Sequence, residues 1–419
     1  MNRRLWALIA AGAAARLLAW MLRPALHPDE VFQYLEPAWQ RLHGYGWPPW
    51  EWAAGVRSWI LPGYHGAWMV ILGWLGIEGG AAAHAFFQLH WAAASLLLIP
   101  AAWRAGEKLS GSEEGGFRAA ALCALLPTLV WFAPHTLTEV PSAILMTWGY
   151  AAAGASAIGI LFSSAVCLRI PNAPLALPVL FSWRAIPWAL LPLAAFGMID
   201  WITWGRPFHS AIGFLDYNFV QGRAVEHGRS PPFEYFAWIW SRLGPAGAVL
   251  FFAPIALRIR FVWRCALPAA LLVVLLSTQG HKEERFLLAA WPLFAIAWGA
   301  AVAPLRRAAV AAALVAICAS NAHGIWRGPV HDYSGRAGLF AAQSWVGEQP
   351  DATGLLVEGR FHLSGGFFLL RRNLPLETWA PALARNPIFN YAALPDGMRP
   401  EGFSPAWSRR GWTVWKRKR

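Results

Sequence analysis

Charge is the scarce commodity in this 419-residue chain: 14% of residues are Asp, Glu, Lys or Arg, and acids are the smaller share, 22 against 35 basic residues. A soluble domain carries about a quarter charged residues, so the shortage argues against a solvent-facing globular enzyme. Cysteine is nearly as rare, with four, and Cys123, Cys167, Cys265 and Cys318 each lie alone in an apolar stretch. That spacing excludes a disulfide framework and a cysteine metal site, and leaves four buried small hydrophobes. No internal repeat and no aromatic-basic module is present, which argues against a secondary transporter and against a nucleic-acid partner. What is abundant is apolar surface, 57% hydrophobic residues with 28 Trp and a mean hydropathy of +0.39. One soluble core has no use for so much, and the chain reads as an integral, multi-pass membrane protein with Trp gathered at lipid–water interfaces.

The N-terminus, Asn2-Arg3-Arg4 followed by an apolar run from Leu5 to Leu22, reads as an uncleaved first span entering from the cytoplasm rather than a signal peptide. Arg16 interrupts that run, and faces either protein or an anionic headgroup. The segment of about 24–80 forms a large first external loop, in which Trp59 to Ile77, broken by Pro62-Gly63, suits an interfacial helix. Ten further spans are expected at about 82–103, 118–133, 139–153, 154–169, 172–183, 186–204, 236–257, 265–278, 286–303 and 308–324, making about 11. Under this walk Arg104, Lys108, Arg118, Arg184, the Arg258/Arg260/Arg264 group and Arg306-Arg307 fall in cytoplasmic turns, as the positive-inside rule asks.

The same walk gathers polar clusters from distant positions onto the opposite face. They are Asp29 with Glu30, the stretch His135 to Glu139, Arg169 at a helix end, Asp200 with the loop from Trp204 to Tyr235, and the string His281 to Phe286. Loops converging on one side are what a site built on a membrane scaffold requires. After about residue 325 the composition turns polar. Helix-like Ala337 to Val346, strand-like Gly354 to Val357, a turn at Gly365-Gly366 and extended Thr413 to Trp415 predict a small external α/β domain over 326–419, following a transmembrane domain of 1–325. The terminal Lys416 to Arg419 is then an external exception to the charge rule.

Two strings carry a resemblance. His27-Pro28-Asp29-Glu30-x-x-Gln33, followed by Trp50-Glu51-Trp52 and Arg57, together with His281-Lys282-Glu283-Glu284-Arg285-Phe286, resemble glycosyltransferase family 22 of the GT-C superfamily, over residues from about 5 to 325. Asp200 with Trp204-Gly205 and then Asn218 adds weaker agreement. The chain departs from the family in having Trp50 after two prolines and His135 where the family places an arginine. The resemblance implies an all-α polytopic membrane protein of GT-C type that moves mannose from a polyprenyl-phosphate carrier to a glycolipid or glycan acceptor. It places the catalytic base at Asp29, and implies substrate contacts at His27, Glu30, Gln33, Glu51, Trp52, Arg57, Glu139, Arg169, Asp200, Asn218, His281, Lys282, Glu283 and Arg285.

The chemistry agrees with those residue types. A carboxylate takes the proton of the attacking hydroxyl. The departing phosphate needs cations and hydrogen-bond donors rather than the second carboxyl of a glycosidase, and His281, Lys282, Arg285 and Arg169 supply them, with Glu283 and Glu284 holding the cations. Direct displacement inverts the anomeric centre. Each pick has a plainer rival: Glu30 and Glu139 as helix caps, Lys282 and Arg285 snorkelling to headgroups, Glu51 paired with Arg57. His135, His209 and His227 have no metal-ligand spacing, so no structural metal and no cofactor is expected, with a divalent ion bridging Asp29 or Glu30 the lesser alternative. A transferase using another lipid-linked sugar is the closest competing function, and a transporter the more distant one. Short loops and high Ala, Arg and Trp content point to a bacterial inner membrane, with the site on the periplasmic face.

Overall fold

The computed structural model describes residues 2–22, 27–330, 336–359 and 364–418. Loop positions 24–26 and Arg419 of the terminal basic tail lie outside the described residues. The chain divides into two compact units, Met1–Leu22 with Leu89–Gly328, and Arg23–Gln88 with Pro329–Arg419.

Six helical stretches among the described residues are long and apolar enough to cross a membrane: Arg3–Met21, Gly80–Ser110, Trp183–Trp204, Glu234–Leu257, Ile259–Ser277 and Arg307–Gly328. Shorter apolar helices, Ala155–Leu168 and Ala290–Val302, accompany them. In the first unit, the helices Leu98–Ser110, Glu113–Leu125 and Ala290–Val302 pack backbone to backbone. A Cβ at Gly106 would stand 2.8 Å from the Gly115 carbonyl oxygen, and one at Gly299 2.5 Å from the Ala119 nitrogen. Small residues at such crossings are how apolar helices gain dispersion contact where lipid gives no hydrophobic drive. Arg16 is 1% exposed and faces protein: its guanidinium donates to Ser95 Oγ at 2.7 Å and to the carbonyls of Gly12, Ala124 and Cys123 at 3.0–3.1 Å.

Proline explains where the elements depart from the expected spans. The stretch expected at 118–133 is two helices, because Leu126 precedes Pro127 and is held extended, φ −62° and ψ 116°. The stretch expected at 172–183 is a 3-10 segment, Ile170–Val179, with Pro171, Pro174 and Pro178 removing amide donors that an α-helix needs. Gly244, at φ 65° and ψ 165°, kinks the helix Glu234–Leu257 in front of Pro245.

In the second unit, Trp59 to Ile77 forms the helix Ile60–Trp74, preceded by a helical run through Glu30–Leu35 and Glu36–His43. The helix expected from Ala337 to Val346 is Arg336–Gly347, and the turn at Gly365-Gly366 opens a short helix, Gly366–Leu370. A five-stranded sheet consists of β1 (Leu355–Val357), β2 (Leu376–Thr378), β3 (Tyr391–Pro395), β4 (Phe403–Arg409) and β5 (Trp412–Arg417), in the order β2-β1-β3-β5-β4. β1 runs parallel to β2 and β3, and β5 antiparallel to β3 and β4. Leu355, Val357, Tyr391, Ala393 and Val414 bury one face against Leu339, Ala342 and Val346. Leu35, Trp39, Met69, Leu72 and Phe87 form a core with Phe340, Phe368 and Leu369, so residues of the first loop and of the C-terminal region share one interior.

Candidate active site

The helical run that carries the first string is wound as a π-helix over Glu30–Leu35, a form often associated with functional positions. Asp29 stands at its head, with a side chain 21% exposed, its own amide donating to His27 Nδ1 at 3.2 Å. Glu30 is buried and accepts from the His27 amide at 2.9 Å, the reach-back half of a capping box. Gln33 donates to Glu51 Oε1 at 2.8 Å, and Arg57 lies 3.9 Å from the same carboxylate. Burial pushes the Glu51 carboxyl up, Arg57 pulls it down, and the charge of Asp29 pushes it up again. Trp52 is buried with its ring 4.6 Å from that of Trp59. The first string and the Glu-Trp pair therefore share one site within the second unit, with Asp29 its most accessible acid.

The first unit holds a second group. The helix Ile259–Ser277 ends before Gly280, where a Cβ would overlap Val225 Cγ1, and the chain crosses closely against the loop of 223–230. Glu283 is extended and the next residues form a 3-10 turn, Glu284–Leu287, which folds Arg285 back. Its guanidinium meets Glu283 at 2.6 Å and Glu139 Oε1 at 2.8 Å, while Arg169 meets the same Glu139 oxygen at 3.1 Å. His281 Nε2 lies 3.0 Å from Glu283. The Phe286 ring sits under both guanidiniums, 4.6 Å from Arg169 and 5.1 Å from Arg285. Glu139, Arg169, His281, Glu283 and Arg285, drawn from three separate stretches of the chain, are thus brought together. Glu139 and Arg285 are 1% and 5% exposed as side chains, so each charge depends on its partners. Arg169 Nε is buried without a partner among the described residues, leaving donor capacity at one edge of the cluster.

Three implied contacts sit apart from this network in their own local structure. Lys282 turns its amine to the carbonyls of Gln279 and Ser230, the latter at 3.3 Å. Asp200 accepts from the Ser210 amide and hydroxyl at 2.8 and 2.7 Å. Asn218 donates one turn back to the Phe214 carbonyl at 2.8 Å. Glu284 turns away to Arg242, at 2.9 Å.

Two residues escaped the sequence reading. Arg242 was legible as a lone charge inside an apolar helix. Glu36 is 0% exposed and accepts three backbone amides, those of Trp47 at 2.9 Å, Phe367 at 3.0 Å and Phe368 at 2.9 Å. Burial pushes its carboxyl up to about 7, against the pull of those amides. Its signal was an acid three positions after Gln33, at the head of a helix and followed by Pro37.

A chain of apolar membrane-length helices with a small sheet domain, burying a paired arginine–glutamate network, is by fold a multi-spanning protein of GT-C type. Crystal structures of ArnT from Cupriavidus metallidurans superpose on nearly the whole chain. For the form bound to undecaprenyl phosphate the TM-score is 0.58 at 15% identity, covering 99% of this chain and 98% of that one. For the apo form it is 0.61 at 14% identity, covering 97% and 96%. Residues 6–326 match the Alg9-like mannosyltransferase family, and the chain belongs to that family. It is similar to GPI mannosyltransferase 3 of Yarrowia lipolytica, 26% identical over 306 residues, 66% of this chain and 58% of that protein. GPI alpha-1,2-mannosyltransferase 3 of Xenopus laevis is 25% identical over 344 residues, 74% of this chain and 62% of that protein. The chain therefore spans about three fifths of the length of these curated relatives.

Proposed function

We propose that this protein is an integral-membrane, inverting mannosyltransferase that moves mannose from a polyprenyl-phosphate carrier to a hydroxyl of a glycolipid or glycan. Asp29 takes the hydroxyl proton, being the accessible acid of the first string. Arg169, Arg285 and His281 stabilise the phosphate as it leaves, with Lys282 adding positive charge nearby in sequence. Glu139 and Glu283 hold the guanidiniums in place and give way in part as the phosphate arrives. The observation that carries the reading is the Arg169–Glu139–Arg285–Glu283 network, buried within the segment that matches the family. The crystal structure of ArnT with undecaprenyl phosphate supports a lipid-phosphate donor for this fold.

Because the leaving charge is met by side-chain cations, no divalent ion is required, and transfer persists in excess EDTA. The protein resides in a bacterial inner membrane with its site on the periplasmic face. The test is transfer from synthetic polyprenyl-phosphate-mannose by purified protein, followed by the anomeric configuration of the product. Asp29→Asn lowers the rate by about 10²–10⁴. Full activity in that variant removes the base assignment, and turnover of only a different lipid-linked sugar replaces mannose as the donor.

A further inference from the structure

The second unit contains a cavity of about 360 Å³ whose walls include Trp39, His43, Tyr45, Glu78, Glu348 and Arg371. The chain beside Glu78 packs closely against two of these wall residues. Gly79 and Gly80 take left-handed φ of 65° and 70°, and a Cβ on them would stand 2.6 Å from the Trp39 ring and 2.8 Å from Arg371 Nε. Only glycine lets the chain run there, and it fixes the neighbouring Glu78 at the cavity wall.

Arg371 carries a cost of its own. It follows the helix Gly366–Leu370 with φ 58°, where glycine is the ordinary residue and a side chain is strained. The chain keeps an arginine there, and its Nη2 meets Glu348 Oε1 at 3.0 Å. Backbone strain at a cavity wall is a pointer to binding.

The chemistry of the walls selects the ligand. The His43 ring stacks on Trp39 with centroids 3.7 Å apart and 27° between planes, and Tyr45 meets Trp39 edge-on at 6.0 Å. Trp39 is itself 2% exposed, so the rings this side presents are the imidazole of His43 and the phenol of Tyr45. The other side offers two carboxylates and one guanidinium, groups that take hydroxyl hydrogen bonds in pairs. A net negative charge disfavours phosphate or carboxylate ligands. The flat rings of His43 and Tyr45 opposed by a few polar groups match a pyranose, which has one C–H face to lie on a ring and a rim of hydroxyls. Trp39 lies ten residues beyond Asp29 along the helical run, roughly 15 Å, a separation spanned by a short oligosaccharide.

We propose that this cavity binds a pyranose ring of the acceptor glycan, away from the hydroxyl that is glycosylated. The proposal rests on the mannosyltransferase reading for the word acceptor, and on the cavity alone for the word pyranose. The test is saturation-transfer-difference NMR on the full-length protein in nanodiscs, with methyl α-D-mannopyranoside and an α-linked mannobiose as probes. Wild type and Asp29→Asn are expected to show saturation of both probes. Arg371→Gly and Glu78→Gln are expected to weaken binding at least tenfold. Arg371→Gly relieves the left-handed strain, so its thermal unfolding temperature holds or rises and separates lost binding from lost fold. The proposal is overturned if neither saccharide binds wild type, if binding survives both cavity variants, if it is lost in Asp29→Asn, or if tetramethylammonium displaces the sugars. Saccharide binding by a protein that shows no mannosyl transfer leaves the cavity assignment standing and removes the transferase reading.

Discussion

Arg285 shows what a buried charge commits a protein to. It touches Glu139 and Glu283 at once, and Glu139 is also held by Arg169. Arg285→Ala takes the shared cation from two carboxylates, leaving Glu139 to Arg169 and Glu283 to His281, and should destabilise the folded protein by about 3 kcal/mol, measured by thermal or denaturant unfolding in detergent. Arg285→Lys keeps the charge but replaces a planar fork by a point, so it should remain folded while transfer falls by about 10². Equal activity in the lysine variant would deny the guanidinium a part in meeting phosphate. Each of these residues was readable alone, as a charge at the edge of an apolar stretch or in a short string. Their pairing was not, because Glu139 and Arg285 are 146 positions apart and nothing local links them.

At the scale of the element, proline and hydrogen-bond supply decided where sequence expectation and structure part. Apolar length placed the spans, yet a residue before proline or a proline every few positions ends an α-helix whatever its hydropathy. The sheet was legible in β1 and the centre of β5, whereas β2 is three residues long and β4 contains Pro405, tolerable because both are edges. β3 is central but short and half alanine and proline, so no strand-like composition marks it.

Glu36 joins two elements and gives a pH signature. Its folded pKa of about 7 lies above the ordinary 4.5, so the folded state holds the proton more tightly and stability falls as pH rises from about 4.5 to about 7. Wild type should therefore lose stability relative to Glu36→Gln across that window and run parallel to it above. Unfolding temperatures of the two proteins taken from pH 4 to 8 give the comparison, and a constant difference would mean that the carboxyl does not titrate there.

Across the whole molecule, the charge pattern predicts a topology that chemistry can read. Cys123 and Cys265 are buried and the other two are half-buried, so a membrane-impermeant maleimide has little native background. Ser112→Cys, in a turn assigned to the cytoplasm, should label only after permeabilisation of cells, and Ser230→Cys, in the loop assigned to the outside, should label in intact cells. The same side for both would break the span count.

The tie between Glu36 and the amides of Phe367 and Phe368 also sets an order on biosynthesis. Its ends are more than 330 positions apart, so at 5–20 residues per second the loop that carries Asp29 leaves the ribosome roughly 20–60 s before its partner exists. During that interval Leu35, Trp39, Met69 and Phe87 lack the Phe340, Phe368 and Leu369 that later cover them. A nascent chain of this protein thus carries an apolar loop in need of a chaperone or a lipid surface until residues 340–369 arrive to cover it.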